Sequence, residues 1–136
     1  IEHLTNLATH TTYGVPGYIQ DAALFALNQG TAFETEISAP FQRRRLLAQD
    51  ILARQNAVSL VPAQGAMYVM LDIRSTGMTG EDFAYALLEK HHIAVMPGES
   101  FGEAAAGHIH VAMTIEDTRF AQALATLCDF AEALAA

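Results

Sequence analysis

Lysine and cysteine each occur only once in the 136 residues, at Lys90 and Cys128. A single cysteine excludes an internal disulfide and fits a reducing compartment. Charged residues make up only 16% of the chain and apolar residues 51%, which is little charge for an independent domain. The shortage of charge indicates that some apolar surface is normally covered by a neighbour that lies outside this chain.

Long apolar runs and basic clusters are scarce as well. No apolar run is long enough to span a bilayer, and no signal-peptide pattern opens the chain. The formal net charge is −8, and the only basic run is Arg43-Arg44-Arg45. We interpret the three arginines as a solvated face at the edge of an interface, with phosphate or carboxylate binding as the alternative. These features argue against membrane and nucleic-acid partners and predict a cytoplasmic protein.

Hydrophobic periodicity divides the first part of the chain. Residues 1–15 show no sustained period and are predicted to be a loop. Pro16 suits the first turn of a helix and Gly30 suits its C-terminal end, so together they predict a helix over 17–29. Apolar side chains cover most of the circumference of this helix, so we expect it to be buried on more than one side. Because proline opens a helix but does not continue one, we place the next helix over 40–56, starting at Pro40.

Strands and helices alternate in the second part of the chain. The predicted strands read AMYVMLDI, IAVMPG and GHIHVAMT. Thr79 is expected to cap a helix after the first strand, and the last helix begins at Glu116. Within that helix, Cys128 borders the apolar stripe and is predicted to be a small core residue. The order of elements predicts an α+β fold of two layers, with helices packed on a small mixed or antiparallel sheet.

The strand GHIHVAMT places two imidazoles on one face. Strand alternation directs its apolar residues to the core and directs His108 and His110 to the opposite side. Two histidines spaced in this way could ligate a metal ion. Glu99 and Glu103 of the adjoining loop are the only further candidate ligands nearby. We disfavour a metal site, because no convincing third ligand is at hand. Local chemistry alone leaves this polar face unexplained.

Longer segments add a resemblance that single residues do not show. Three of them occur in order: AQGAMYVMLDI, IAVMPGESFG and GHIHVAMTIED. Together they resemble the C-terminal small domain of class I/II aminotransferases, the fold-type I pyridoxal-phosphate enzymes. The upstream THTTYGVPGYIQDAALFAL resembles the stretch that follows the cofactor lysine in these enzymes and leads into the interdomain helix. The resemblance implies that 1–32 are a remnant of the large cofactor domain with the interdomain segment, and that 33–136 are the small domain.

The same resemblance implies a function for the parent protein. It would be a homodimer that uses pyridoxal 5′-phosphate to move an amino group between an amino acid and a 2-oxo acid. The cofactor lysine, the phosphate-binding loop and the partner of the pyridine nitrogen belong to the missing large domain. We therefore expect this chain alone to be inactive, with no catalytic, cofactor-binding or metal-binding residue. Its substrate-binding residues would be His110, Phe101 and Gly102, which form a wall of the substrate pocket.

His110 departs from the family pattern, which has an arginine at this position to hold the substrate α-carboxylate. Arginine makes two parallel hydrogen bonds to a carboxylate, whereas histidine offers one donor at a time. Losing this bidentate pair would cost on the order of 2–4 kcal/mol of the free energy of substrate binding. An atypical substrate, another residue that holds the carboxylate, or lost activity would each account for the change. The alternative function is a stand-alone, non-catalytic α+β domain that binds a small molecule or serves regulation.

Overall fold

The computed structural model describes residues 1–135. Its helices are α1 (Glu2–Thr11), α2 (Gly17–Leu27), α3 (Thr31–Leu52), α4 (Gly80–His91) and α5 (Asp117–Ala135), and its strands are β1 (Ser59–Leu60), β2 (Tyr68–Asp72), β3 (Met96–Pro97) and β4 (His108–Ala112). Short 3₁₀ turns cover Arg74–Thr76, Gly98–Phe101 and Glu103–Ala105. The chain forms two compact units: an N-terminal unit, Ile1–Ser38, and a C-terminal unit that begins at Ala39.

The first helix of the N-terminal unit was not expected, and the prediction of a loop over 1–15 is wrong from Glu2 to Thr11. Threonines lower helix propensity because their hydroxyls compete for backbone groups. Here the hydroxyls of Thr5, Thr9, Thr11 and Thr12 donate instead to the carbonyl four residues earlier. The helix ends at Thr11, and Tyr13 and Gly14 shortly after it have left-handed φ values of 53° and 81°.

The helix predicted over 17–29 is confirmed as α2, but its side chains find no cover within this chain. None of its residues is buried. Tyr18, Phe25 and Leu27 remain 75%, 69% and 75% exposed. The expected burial on more than one side is therefore not met by the residues that the structure describes.

Pro40 does not begin a helix, contrary to the prediction over 40–56. It lies inside α3, which starts at Thr31 and ends at Leu52. Proline removes one backbone donor but has a φ compatible with a helix, so the residues on both sides can keep their helical hydrogen bonds. The prediction treated the loss of one bond as sufficient to end the helix.

The four strands form one antiparallel sheet in the order β1-β2-β4-β3. Met70 of β2 and Met96 of β3 lie opposite His110 of β4, on its two sides. The two-residue strand β1 was not predicted, because so short a segment carries no readable alternation. The α+β, two-layer prediction is confirmed, and the sheet is antiparallel rather than mixed.

The core lies between one face of this sheet and the helices. The sheet and its flanks contribute Val69, Leu71, Ile73, Ile109 and Met113, and the helices contribute Ala48, Leu52, Phe83, Leu87, Phe120, Leu124, Leu127, Cys128, Phe130 and Ala131. Cys128 is fully buried, as predicted. Desolvation, with smaller effects from Asp129 and Glu132, raises the pKa of its thiol to about 11, so the thiol stays protonated and inert. Within residues 1–135, no helix combines the length and apolar character needed to cross a membrane.

The arginine run joins two helices of the C-terminal unit. Arg44 Nε donates to Asp117 Oδ1 at 2.7 Å, and its Nη1 donates to the Met113 carbonyl at 2.9 Å. Arg43 Nε reaches the other oxygen of Asp117 at 3.2 Å. The Arg44 side chain is only 12% exposed, so the prediction of a solvated face is wrong for this residue. These bonds fix α3 to the start of α5.

Candidate functional site

The face of the sheet that points away from the core carries the candidate site. Strand alternation places on it Tyr68, Met70 and Asp72 of β2, Met96 of β3, and His108, His110 and Ala112 of β4. All of them are half-buried or exposed. We call this surface the open face.

His110 lies between two aromatic rings on the open face. Its ring centroid is 4.4 Å from that of Tyr68, with the planes inclined by 33°. On another side it is 4.8 Å from that of Phe101, with an inclination of 47°. Tyr68 is its diagonal neighbour across the β2–β4 ladder, whereas Phe101 comes from the turn that follows β3. The imidazole is thus held by contacts from two separate elements.

The polar atoms of this aromatic cluster are free to meet a ligand. Among residues 1–135, neither ring nitrogen of His110 and no hydroxyl of Tyr68 forms a hydrogen bond with the protein. The ring nitrogens of His110 are not buried, and Tyr68 as a whole is 41% exposed. The cluster therefore presents unused hydrogen-bonding groups beside apolar rings.

Glu99 fixes the turn that carries Phe101. Its Oε1 accepts from the backbone N–H of Gly80 and from that of Gly107, each at 3.0 Å. These donors lie at the start of α4 and just before β4, so one carboxylate joins three segments. Hydrogen bonds from backbone N–H groups, first that of Gly107, then that of Glu99 itself and then that of Gly80, hold the pKa of Glu99 below its ordinary value of 4.5.

The glycine before Glu99 allows the turn to pack this closely. A Cβ on Gly98 would collide with the carbonyl oxygens of Ala105 and His108. Gly102 ends the same turn with a φ of 110°, a conformation that side chains disfavour. Gly102 therefore shapes the backbone next to Phe101 and stays exposed at the edge of the open face.

His108 belongs to a different cluster. Its Nδ1 donates to the Ala106 carbonyl at 2.9 Å, and its Nε2 lies 3.9 Å from Asp72 Oδ2. Asp72 is bound chiefly by Arg74, whose Nε donates to both carboxylate oxygens at 2.9 and 3.0 Å. The hydrogen bond from Arg74 is the main reason that the pKa of Asp72 is lowered. His108 is thus engaged away from His110.

A metal centre does not form around this histidine pair in the part of the chain that the structure describes. No group of three His, Cys, Asp or Glu side chains converges there. One carboxylate oxygen of Glu99, a candidate ligand from the adjoining loop, already accepts hydrogen bonds from two backbone N–H groups. The pair spacing on the strand is met, but the further ligand that a metal requires is not supplied.

Lys90, the only lysine, lies in the helical layer. Its Nζ is 5.5 Å from the centre of the Phe130 ring, and Phe130 belongs to the core on the other side of the sheet from His110. Lys90 is exposed there. The residues of this chain therefore offer the open face no lysine to which pyridoxal phosphate could attach.

The structure brings together His110 and Phe101, which the sequence had singled out, and it places Gly102 directly after Phe101. Sequence reasoning missed Tyr68. Alternation within AMYVMLDI would have put Tyr68 on the polar side of its strand. Its contact with His110 depends on the register between β2 and β4, which the sequence does not show.

Comparison with known proteins identifies the class of this two-layer domain. The profile of the family "aminotransferase class I and II" matches residues 1–126. The chain belongs to this family.

Individual relatives agree with the family. An arginine–pyruvate transaminase of Pseudomonas aeruginosa is 40% identical over 113 residues, which is 83% of this chain and 29% of that protein. The crystal structure of an aromatic aminotransferase from Pyrococcus horikoshii matches 97% of this chain and 36% of its own, with a TM-score of 0.78 and 26% identity. An aminotransferase from Staphylococcus aureus matches 96% of this chain and 34% of its own, with a TM-score of 0.77 and 32% identity. The chain thus spans about a third of the length of the relatives that it matches.

Proposed function

We propose that this chain is the C-terminal part of a pyridoxal-phosphate-dependent aminotransferase, which transfers an amino group between an amino acid and a 2-oxo acid. Family membership and the share of its relatives that the chain spans support this proposal. In the proposed parent, 1–32 belong to the large cofactor domain with its interdomain segment, and 33–136 form the small domain. The chain contributes a wall of the substrate pocket and is inactive alone.

The main structural support for the proposal is that the ring of His110 has no hydrogen-bond partner in the part of the chain that the structure describes. Its unpaired ring nitrogens lie on the open face, at the position that the family resemblance assigns to carboxylate binding. Phe101 packs against the ring, and Gly102 lets the backbone turn beside it. In this arrangement His110 donates a hydrogen bond to the substrate carboxylate, while the Phe101 ring excludes water from one side of that bond.

The cofactor would be held by the part of the parent outside this chain. Lys90, the only lysine of the sequence, lies on the far side of the sheet, so the open face has no amine that could form a Schiff base with the cofactor. The role of this chain is therefore confined to binding and orienting the substrate.

The exposed apolar side chains of α2 support the proposal that a part of the parent protein outside this chain covers this helix. Tyr18, Leu24 and Phe25 are each more than half exposed. Leaving so much apolar surface in water is unfavourable, at about 25 cal/mol for each Å². In the proposed parent, the large domain and the partner of a homodimer cover this helix.

Substitution of His110 in the full-length gene product tests the proposal. H110R restores the two-donor fork and should lower KM for its amino-acid donor by about tenfold or more, whereas H110A should raise it. H92R makes the same chemical change at an exposed residue in the other layer and should leave KM unchanged. A KM that responds to neither change at His110 would contradict a carboxylate-binding role.

A further inference from the structure

We infer that Tyr68 is a substrate-binding residue, whose hydroxyl donates the second hydrogen bond to the carboxylate that His110 binds. This inference rests on the proposed function and deepens it. With this second donor, the substrate carboxylate is bound by two hydrogen bonds although no arginine is present at position 110.

The relative placement of the two rings favours shared binding. Their centroids are 4.4 Å apart and their planes are inclined by 33°, so the two rings are in direct, tilted contact. Tyr68 is 41% exposed, and its hydroxyl makes no hydrogen bond within residues 1–135. A carboxylate has two acceptor oxygens, so it can accept one bond from an imidazole N–H and one from a phenol O–H.

The other side chains on or near the open face either carry no donor or have partners away from His110. Met70, Met96 and Phe101 carry no donor. His108 Nδ1 donates to the Ala106 carbonyl, and Arg74 Nε and Nη2 donate to the carboxylate of Asp72, which lies opposite His108 and not opposite His110. Among the side chains that the structure places on this face, Tyr68 is left as the donor beside His110.

Phe101 positions the His110 ring and does not bind the carboxylate itself. Its ring packs 4.8 Å from His110 and offers no hydrogen bond. It limits the rotation of the imidazole, so that one nitrogen stays directed at the ligand while Tyr68 supplies its hydroxyl. Phe101 is therefore a positioning residue, and Tyr68 is a binding residue.

The test is Y68F in the full-length gene product, because this change keeps the ring and removes only the hydroxyl. KM for the best L-amino-acid donor should rise about tenfold, with kcat changed less than twofold. KM for the amine that differs from this donor only in lacking the carboxylate should stay the same. Y85F removes a hydroxyl from an exposed tyrosine of α4 and serves as the matched control.

A second arm combines the change with H110R. Once arginine supplies both donors, Y68F should alter KM less than twofold in that background. The dissociation constant of the amino acid, measured by calorimetry, gives the same comparison without turnover. In Y68F and Y85F the thermal unfolding midpoint should stay within about 2 °C of the parent, because each change removes only an exposed hydroxyl.

The outcomes separate this inference from the proposed function. An unchanged KM and dissociation constant in Y68F, with a clear loss of binding in H110A, would overturn the role of Tyr68 alone. An equal loss in Y68F for the amino acid and for the amine would also overturn it, since the hydroxyl would then not act on the carboxylate. Amino-acid binding that is insensitive to both H110A and Y68F would instead refute the proposed function.

Discussion

Tyr68 and His110 face each other across the β2–β4 ladder, with ring centroids 4.4 Å apart. The contact is diagonal, because Met70 is the residue directly opposite His110. It exists only in the observed register, since a slip of one residue would turn Tyr68 into the core. The register of an antiparallel pair therefore decides which groups surround the histidine.

Removing the Phe101 ring should weaken substrate binding without removing any hydrogen bond. F101A frees one side of the imidazole, so its nitrogen spends less time in the binding orientation. We expect KM for the amino-acid donor to rise about threefold to tenfold. Steady-state kinetics measure the change, and F101L, which keeps an apolar side chain, should recover part of it. A KM in F101A equal to that of the parent would show that the ring does not position His110.

Ring-current shifts give an independent check of the aromatic cluster. In the full-length protein, the carbon-bound ring protons of His110 should resonate upfield of those of His92, because the Tyr68 and Phe101 rings lie close to it. F101A should remove part of this displacement and Y68F should keep it. Proton NMR of histidine-labelled protein measures both. Resonances that do not move in F101A would contradict the observed packing.

Loss of the Glu99 carboxylate should lower stability in a pH-dependent manner. The pKa of Glu99 is lowered in the folded protein by the N–H groups of Gly107 and Gly80. The contribution of the Glu99 carboxylate to the free energy of unfolding is therefore complete above its ordinary pKa of 4.5. This contribution is lost as the pH falls through the lower pKa of the folded protein. We expect E99A to lower the thermal unfolding midpoint at pH 7 and to approach the parent in acid.

Glu103 provides the control for this change. It lies in the next 3₁₀ turn, in the same loop, and is exposed. E103A should leave the unfolding midpoint within about 2 °C of the parent at each pH. A difference between E99A and the parent that is as large in acid as at pH 7 would mean that the Glu99 charge is not what joins the three segments.

Adding one methyl group to Gly98 should disturb the turn that carries Phe101. In G98A the new Cβ meets the carbonyl oxygens of Ala105 and His108, so the backbone has to move. Overpacking of this kind costs about 1–3 kcal/mol of unfolding free energy. The matched variant G65A adds the same methyl group where no atom lies within 4 Å, and should be neutral by denaturant unfolding. Equal effects of the two changes would argue against the tight packing at Gly98.

The two neighbouring arginines should differ in their effect on stability. R44A removes a buried side chain and leaves the Met113 carbonyl without its donor, whereas R43A removes an exposed one. We expect the thermal unfolding midpoint to fall by several degrees in R44A and by less than about 1 °C in R43A. If R43A destabilises as much as R44A, burial is not what makes the Arg44 contact to Asp117 important.

The sequence predicted those features that follow from local patterns. The alternation in GHIHVAMT gave the two faces of β4, and Thr79 was recognised as a cap, which the bond from the Asp82 N–H to its hydroxyl confirms. The helix over Glu2–Thr11 was missed because its threonines are poor helix formers. Pro40 misled the prediction because one missing hydrogen bond does not end a long helix.

The candidate site was predictable only in part. Strand alternation placed His110 on the polar face together with His108, whereas the substrate-binding role of His110 and Phe101 came only from the resemblance of their motifs. Tyr68 was missed, because its contact depends on strand register, and so was Glu99 as a bridge between three segments. Contacts between residues far apart in sequence carry no local signal, so they become visible only once the sheet is formed.

The most direct test of the proposed parent enzyme is denaturing mass spectrometry of the native gene product after borohydride treatment. Reduction fixes pyridoxal phosphate covalently to the lysine that holds it. We predict a polypeptide about three times as long as this chain, since its relatives have that length, with one pyridoxyl group on a lysine other than Lys90. A product that begins at Ile1, or one whose only pyridoxyl group is on Lys90, would contradict the account.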